Sequence, residues 1–352
     1  MKKYTLIILL LLCLLFPTLV SATDYYVRPA SGEYGAEDGS SYAAAYDGFS
    51  DIVWADVDSG NGKLFICGTH LQTLTPTVAG EEGTPIQLVS CTTANGASTD
   101  DPGIIDGEDT RQNGISVDAS AGDRSYITVD GITVTGCAAS GTSIWFYAFK
   151  GSSSIPHPVI KNVTVTAPKG RGIQCLVCTD GLIQNSSIVA GTASYDPPSA
   201  QDCLTLANGS DNIVDGVYAK QMTDTGAEHN DALQTNRSTN LTIKNSYLHS
   251  STAANNNSQV LMFDDSYGTL TMYNNIVIGN TVGNAGLFYN NGGGTAWTAD
   301  LYLYNNTFYA PRTDDGRGLS MQIPAGDVKE IKNNIFITLG VETDGYTGSA
   351  AL

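Results

Sequence analysis

The chain has 352 residues, with 17 Lys and Arg against 35 Asp and Glu, for a formal charge of -18. The first 22 residues hold Lys2 and Lys3 and no acid, so the remainder carries 15 bases against 35 acids, a charge of -20. Such a surface argues against nucleic acid and anionic membrane as partners. With 41% apolar and only 15% charged residues the chain is not disordered, and its 38 glycines suit short strands and turns better than long helices.

Lys2 and Lys3 precede an apolar run from Tyr4 to Val20, closed by Ser21-Ala22. A positive start, an apolar stretch and a small-residue cleavage site predict a signal peptide over 1–22, hence a secreted protein, extracellular or periplasmic. An uncleaved anchor is the alternative, because the run is about long enough to span a bilayer. No later segment is, so no membrane contact is expected after cleavage. Next, Ala43, Ala44, Ala45, Tyr46, Phe49, Ile52 and Val53 recur at helical spacing behind Ser41, which predicts one capping helix over Ser41 to Val57. Cys67, Cys91, Cys137, Cys175, Cys178 and Cys203 follow the leader, and both buried thiols and disulfides are open to them.

The middle of the chain repeats itself. Val159-Ile160-Lys161-Asn162-Val163-Thr164-Val165 has the shape of Leu241-Thr242-Ile243-Lys244-Asn245-Ser246-Tyr247-Leu248. That shape returns at Leu270 to Val277, Leu301 to Phe308 and Ile331 to Phe336. Gly131, Asn162, Asn185, Gly216, Asn245, Asn274, Asn305 and Asn333 mark the bend, at spacings of 31, 23, 31, 29, 29, 31 and 28 residues. Each copy has two short alternating strands around a residue that tolerates a left-handed backbone. A third strand precedes each pair, as in Gly172-Ile173-Gln174-Cys175, Asp202-Cys203-Leu204-Thr205-Leu206 and Asp231-Ala232-Leu233-Gln234-Thr235, and again from Gly286 and Gly318. Stacked repeats of this kind make three parallel sheets around one apolar core.

On these residues the chain resembles the right-handed parallel β-helices of the pectate-lyase-like superfamily, over about residues 60 to 336. The bend asparagines are similar to the asparagine ladder of that fold. The resemblance implies an all-β chain of about nine coils with an N-terminal helical cap. Its parts are a signal peptide over 1–22, an N-terminal strand and capping helix over 23–60, the β-helix over 61–338 and a C-terminal tail or truncated cap over 339–352. Asn162, Asn185, Asn245, Asn274, Asn305 and Asn333 should lie in one line.

In the family, the strand that opens each repeat carries the sugar groove on its outer surface. Asp202 and Asp231 are 29 residues apart, one repeat, and should stack about 5 Å apart on neighbouring coils, with His229 two residues before Asp231. Strict alternation sends both acids inward with Leu204 and Leu233, but the rule is weak where the chain is still bending. Lys169 and Arg171 open the preceding coil, and Arg237, Asp264 and Asp265 follow the strands. The candidate catalytic residues are Asp202, His229, Asp231, Arg171 and Arg237; Asn230, Gln234, Lys169, Asp264 and Asp265 would contact substrate. Three readings stay open for the acids: a Ca²⁺ site on Asp202 and Asp231, an acid and base pair for hydrolysis, or turn-capping surface carboxylates.

The resemblance implies a polysaccharide partner and a secreted, Ca²⁺-assisted β-elimination lyase acting on a uronate-containing glycan. The alternatives are a glycoside hydrolase using Asp202 and Asp231, and a non-catalytic glycan-binding or adhesive surface β-helix. The Gly-His-Gly and Arg-Ile-Lys segments of polygalacturonases are missing from the later coils. The oligomeric state is not legible.

Overall fold

The computed structural model describes residues 23–57, 62–138, 141–148, 154–166, 170–190, 202–221, 231–250, 260–264, 267–279, 300–310, 319–320, 328–338 and 341–342. Their strands stack in parallel into sheets of six, twelve and ten strands, called here sheets 1, 2 and 3 in the order a coil visits them. Sheet 1 holds Asn113–Asp118, Thr142–Tyr147, Arg171–Leu176, Leu204–Ala207, Leu233–Asn236 and Leu261–Asp264. Sheet 2 runs from Tyr46–Asp47 and Tyr25–Arg28 to Val328–Lys332, and sheet 3 from Thr69–His70 to Ile335–Thr338. The chain is thus a parallel β-helix whose third sheet has ten levels, against about nine coils expected.

The register places like residues on like. Ile160 pairs with Ile183, then Val214, Ile243, Met272 and Leu303 stack in turn, all turned inward. Val134, Val165, Ile188, Ala219, Leu248, Val277 and Phe308 form the facing column of sheet 3. Strand alternation buries one residue in two, and stacking makes one continuous apolar core from what no coil could bury alone.

Gly131, Gly216 and the six expected asparagines all adopt positive φ at the bend between sheets 2 and 3. Their backbone N–H groups bond the next coil, as Asn245 N–H does to Tyr273 O at 3.1 Å and Asn274 N–H to Tyr304 O at 3.1 Å. However, these asparagines are exposed, and the buried ladder is the residue after them. Asn275 Nδ2 donates to Asn306 Oδ1 at 2.9 Å, and Asn306 Nδ2 donates to Asn334 Oδ1 at 2.9 Å. Ser246 and Ser186 continue the column, their hydroxyls accepting from Val217 N–H and Val163 N–H. The first Asn of each doublet supplies the left-handed turn, and the second satisfies buried amides.

The expected capping helix is instead three short turns. Tyr42–Ala44 and Phe49–Asp51 are single 3-10 turns, and Trp54–Val57 is one α turn. Ser41 does cap the first, accepting from Ala44 N–H. The helix stops because Ala45 is extended, Tyr46–Asp47 joins sheet 2 beside Val27 and Arg28, and Gly48 turns at φ 88°. Pairing with an open sheet edge outweighs the helical spacing. Tyr26, Phe65, Val89 and the Cys67–Cys91 disulfide form a second apolar layer outside these first strands, with Tyr34 and Tyr42 packed against it. Cys137, Cys175, Cys178 and Cys203 are buried free thiols, so the cysteines divide between the two expectations.

Leu319–Ser320 pairs with Val341–Glu342 in a separate two-stranded sheet rather than extending sheet 1. The strand expected from Gly286 and the expected signal peptide lie outside the described residues. Among the described residues no helix is long and apolar enough to cross a membrane.

Outside sheet 3, the early coils present Thr133, Thr135, Thr164 and Thr166. Later coils present Tyr218, Tyr247, Ile276, Thr307 and Ile335 in one column and Lys220, His249, Ile278, Tyr309 and Ile337 in the next.

Candidate functional site

The outer face of sheet 1 is a row of polar and aromatic side chains. Ser116, Trp145, Gln174, Thr205, Gln234 and Met262 share one register position. Asp118, Tyr147, Leu176, Ala207 and Asn236 share the next outward one. Trp145 and Tyr147 stack at 4.8 Å between ring centroids, and both are half-buried. Gln234 Nε2 donates to Met262 Sδ at 3.5 Å. The face therefore offers amide donors and acceptors beside an aromatic platform, the chemistry that suits hydroxyl-rich ligands.

The charged groups gather at the edge where the strands begin. Asn113, Thr142 and Arg171 are in register there, and Asp202 and Asp231 follow on the next two coils. Thr142 Oγ1 donates to Gln174 Oε1 at 3.3 Å. Asp202 Oδ1 accepts from Asp231 N–H at 3.0 Å, and its Oδ2 accepts from Thr205 Oγ1 at 3.1 Å. Arg171 Nε stands 3.7 Å from the same Oδ2. Thr205 and Gln174 are outward positions, so Thr142 and Asp202, on the inward parity, reach the outer row from the strand's opening bend. Asp202 and Asp231 nevertheless have no exposed surface, whereas the Arg171 side chain is 36% exposed. A fully covered carboxylate keeps its charge only with partners of this kind. Arg171 is the solvent-reaching charge of the group, in ion-pair range of Asp202 but beyond hydrogen-bond distance.

Arg237 and Asp264 do not join this group. Arg237 follows Leu233–Asn236, an exposed turn residue at φ 52°, and Asn236 pairs with Asp264. Six residues at about 3.3 Å each put Arg237 about 20 Å from Asp231, at the far end of the strands. The expected cluster thus splits in two, because residues that flank a strand in sequence are separated by its length. Lys169, His229, Asn230 and Asp265 lie outside the described residues. Gln234 is on the outer face as expected. Sequence reasoning missed Trp145 and Tyr147; strict alternation from Ile144 would have placed both outward.

Calcium takes several oxygen ligands. Among the described residues no three His, Cys, Asp or Glu side chains are grouped to hold a metal ion, and the Asp202 oxygens already accept from Asp231 and Thr205 with Arg171 alongside. The described donors therefore do not make a calcium site, and no chemical step below runs through one.

Residues 108–308 match the family described as "Right handed beta helix region", and the chain belongs to that family. The comparison with curated proteins finds no match. Among solved structures, the chain is similar to the Azotobacter vinelandii mannuronan C-5 epimerase AlgE6 A-module at 12% identity and a TM-score of 0.47, covering 93% of this chain and 88% of that one. It is similar to pectate lyase Pel9A at 16% identity and a TM-score of 0.47, covering 90% and 80%. An alginate lyase from Paenibacillus sp. matches at 13% identity and a TM-score of 0.34, covering 72% and 95%. Similarity at this level does not bear on activity.

Proposed function

We propose that the protein is a secreted polysaccharide-active enzyme that binds its glycan along the outer face of sheet 1 and cleaves a uronate-containing chain by β-elimination. The observation that carries this reading is Arg171: a half-exposed guanidinium, 3.7 Å from the covered Asp202 carboxylate, at the head of an outer row of amides, hydroxyls and aromatic rings. A guanidinium placed in this way can take a sugar carboxylate in bidentate fashion and draw charge from it, which acidifies the adjoining C–H. A guanidinium stays protonated through the working pH range of such enzymes, so Arg171 serves as the clamp and not the base. The base falls to His229, two residues before Asp231 in sequence, or Lys169, two before Arg171. The hydrolase reading has less support, because an acid and base pair needs carboxyls that touch substrate and water, and Asp202 and Asp231 have no exposed surface.

A panel of polysaccharides, read both by absorbance of unsaturated ends and by reducing sugar, tests the proposal. Unsaturated ends with a uronate polymer are expected. Reducing sugar alone would indicate hydrolysis, and neither signal with retained glycan binding would indicate an adhesive module. Arg171→Gln should lower turnover at least 100-fold while Arg171→Lys keeps part of it; full activity in Arg171→Gln would overturn the role given to Arg171.

A further inference from the structure

A second surface has no part in the groove reading. Over its last five strands, from Tyr218–Gln221 to Ile335–Thr338, sheet 3 turns an apolar face outward. Ile276 is 46% exposed, Ile335 56% and Ile337 51%, with Tyr218 and Tyr309 also exposed. At about 4.8 Å per strand the stripe is about 19 Å long. Contiguous exposed apolar surface of this kind marks a contact site more often than a solvated wall.

Charge says what fits there. The chain carries 35 acids and a net charge of -18, yet no outward position of sheet 3 from Thr133–Thr135 to Ile335–Thr338 is Asp or Glu. The stripe itself holds only Lys220 and His249, and burial and then Lys220 hold His249 below the ordinary histidine range. Two such acidic molecules repel each other over most of their surface and least along this face. The aromatic geometry disfavours a sugar chain: the Tyr218 and Tyr247 rings stack on each other at 5.1 Å and 8°, which takes up one face of each and leaves less ring surface for a sugar to stack on. The period favours a copy. Side chains recur once per coil, and a molecule related by a two-fold axis presents the same period running the other way, so ridges of one column can seat between those of the other.

We propose that this face of sheet 3 is a self-association surface, on which a second copy of the chain docks about a two-fold axis through Ile276, Tyr309, Ile335 and Ile337. The stripe is smaller than the roughly 800 Å² per partner of a standard interface, so half-association is expected on the order of 100 µM. Because the contact is apolar and the surroundings repel, salt strengthens it.

Sedimentation velocity of the purified chain from 5 to about 500 µM, in about 0.05 and 0.5 M NaCl, tests the proposal. Expected is a monomer–dimer equilibrium, several-fold tighter at the higher salt. The double variant Ile276→Asp and Ile335→Asp should stay monomeric throughout, with its circular dichroism melt as the control for folding. If that variant fails to fold, the single change Tyr309→Glu on the same axis should weaken the dimer at least tenfold. A monomer at every concentration, a dimer that salt dissociates, or a dimer untouched by these folded variants would overturn the proposal. Loss of glycan retention in a monomeric protein carrying the double change would overturn it too, in favour of a sugar surface.

Discussion

Replacing Asn306 by Ala separates the buried ladder from the exposed bend. Asn306 Oδ1 accepts from the Asn275 N–H at 3.0 Å and from Asn275 Nδ2 at 2.9 Å, and its Nδ2 donates to Met272 O at 2.9 Å. Asn275 is 1% exposed, so water cannot readily replace the lost partner. A buried polar group left unmatched costs about 1–3 kcal/mol; the Asn275 N–H and Met272 O lose this partner, while Asn275 Nδ2 keeps its bond to Ile243 O, which predicts about 4 kcal/mol. The neighbouring Asn305 is exposed with φ 54°. Asn305→Ala should cost only about 1 kcal/mol, because Ala lacks the short polar side chain that makes left-handed backbone tolerable for Asn, and Asn305→Gly should be close to neutral. Urea unfolding gives both values, with the slope checked for constancy. If Asn305→Ala costs as much as Asn306→Ala, the bend residue carries the ladder and the assignment made here is wrong.

Removing the Cys67–Cys91 disulfide, which closes a separation of 24 residues, should cost about 3 kcal/mol in the chain-entropy account, seen as a lower urea midpoint of the double Ala variant. Burial lowers the pKa of His70 to about 4, against a smaller opposing effect of its hydrogen bond to Cys67 O. The unfolded chain therefore takes up this proton first as pH falls, so the stabilising contribution is complete above about pH 6.5 and lost down to about pH 4. His70→Gln should show a shallower loss of stability over that window, by up to about 3 kcal/mol; equal slopes for both proteins would show that His70 titrates normally. Thr205→Val, which removes the hydroxyl donated to Asp202 Oδ2, should lower turnover on a uronate polymer more than it lowers the melting temperature. The reverse would give Thr205 a purely structural role.

The repeat was legible because each coil restates the same three strands. Alternation in Val159–Lys161 or Leu301–Phe308 is enough to say which side is core. The doublets Asn274-Asn275, Asn305-Asn306 and Asn333-Asn334 were legible as bends but misread in depth, since either Asn satisfies the pattern and only the backbone turn decides which points inward. The Tyr46–Asp47 strand was hidden because its partner, Val27–Arg28, lies about twenty residues away and has no periodic signature. At the candidate site, one-coil spacing brought Asp202 to Asp231 correctly, as the Asp231 N–H bond to Asp202 shows. It could not show their burial.

Register along the ladder passes from one coil to the next. Ser246 N–H reads Asn275, and Asn275 N–H reads Asn306, each one level on. A protein wired this way can gain or lose a whole turn without redesigning the rest. Duplicating the 29 residues from Asn245 to Tyr273 should lengthen the stack by about 4.8 Å and leave the coils on either side paired as before. Groove length is then a quantity that gene duplication can tune in steps of one strand spacing, which gives lineages a simple route to longer or shorter binding surfaces.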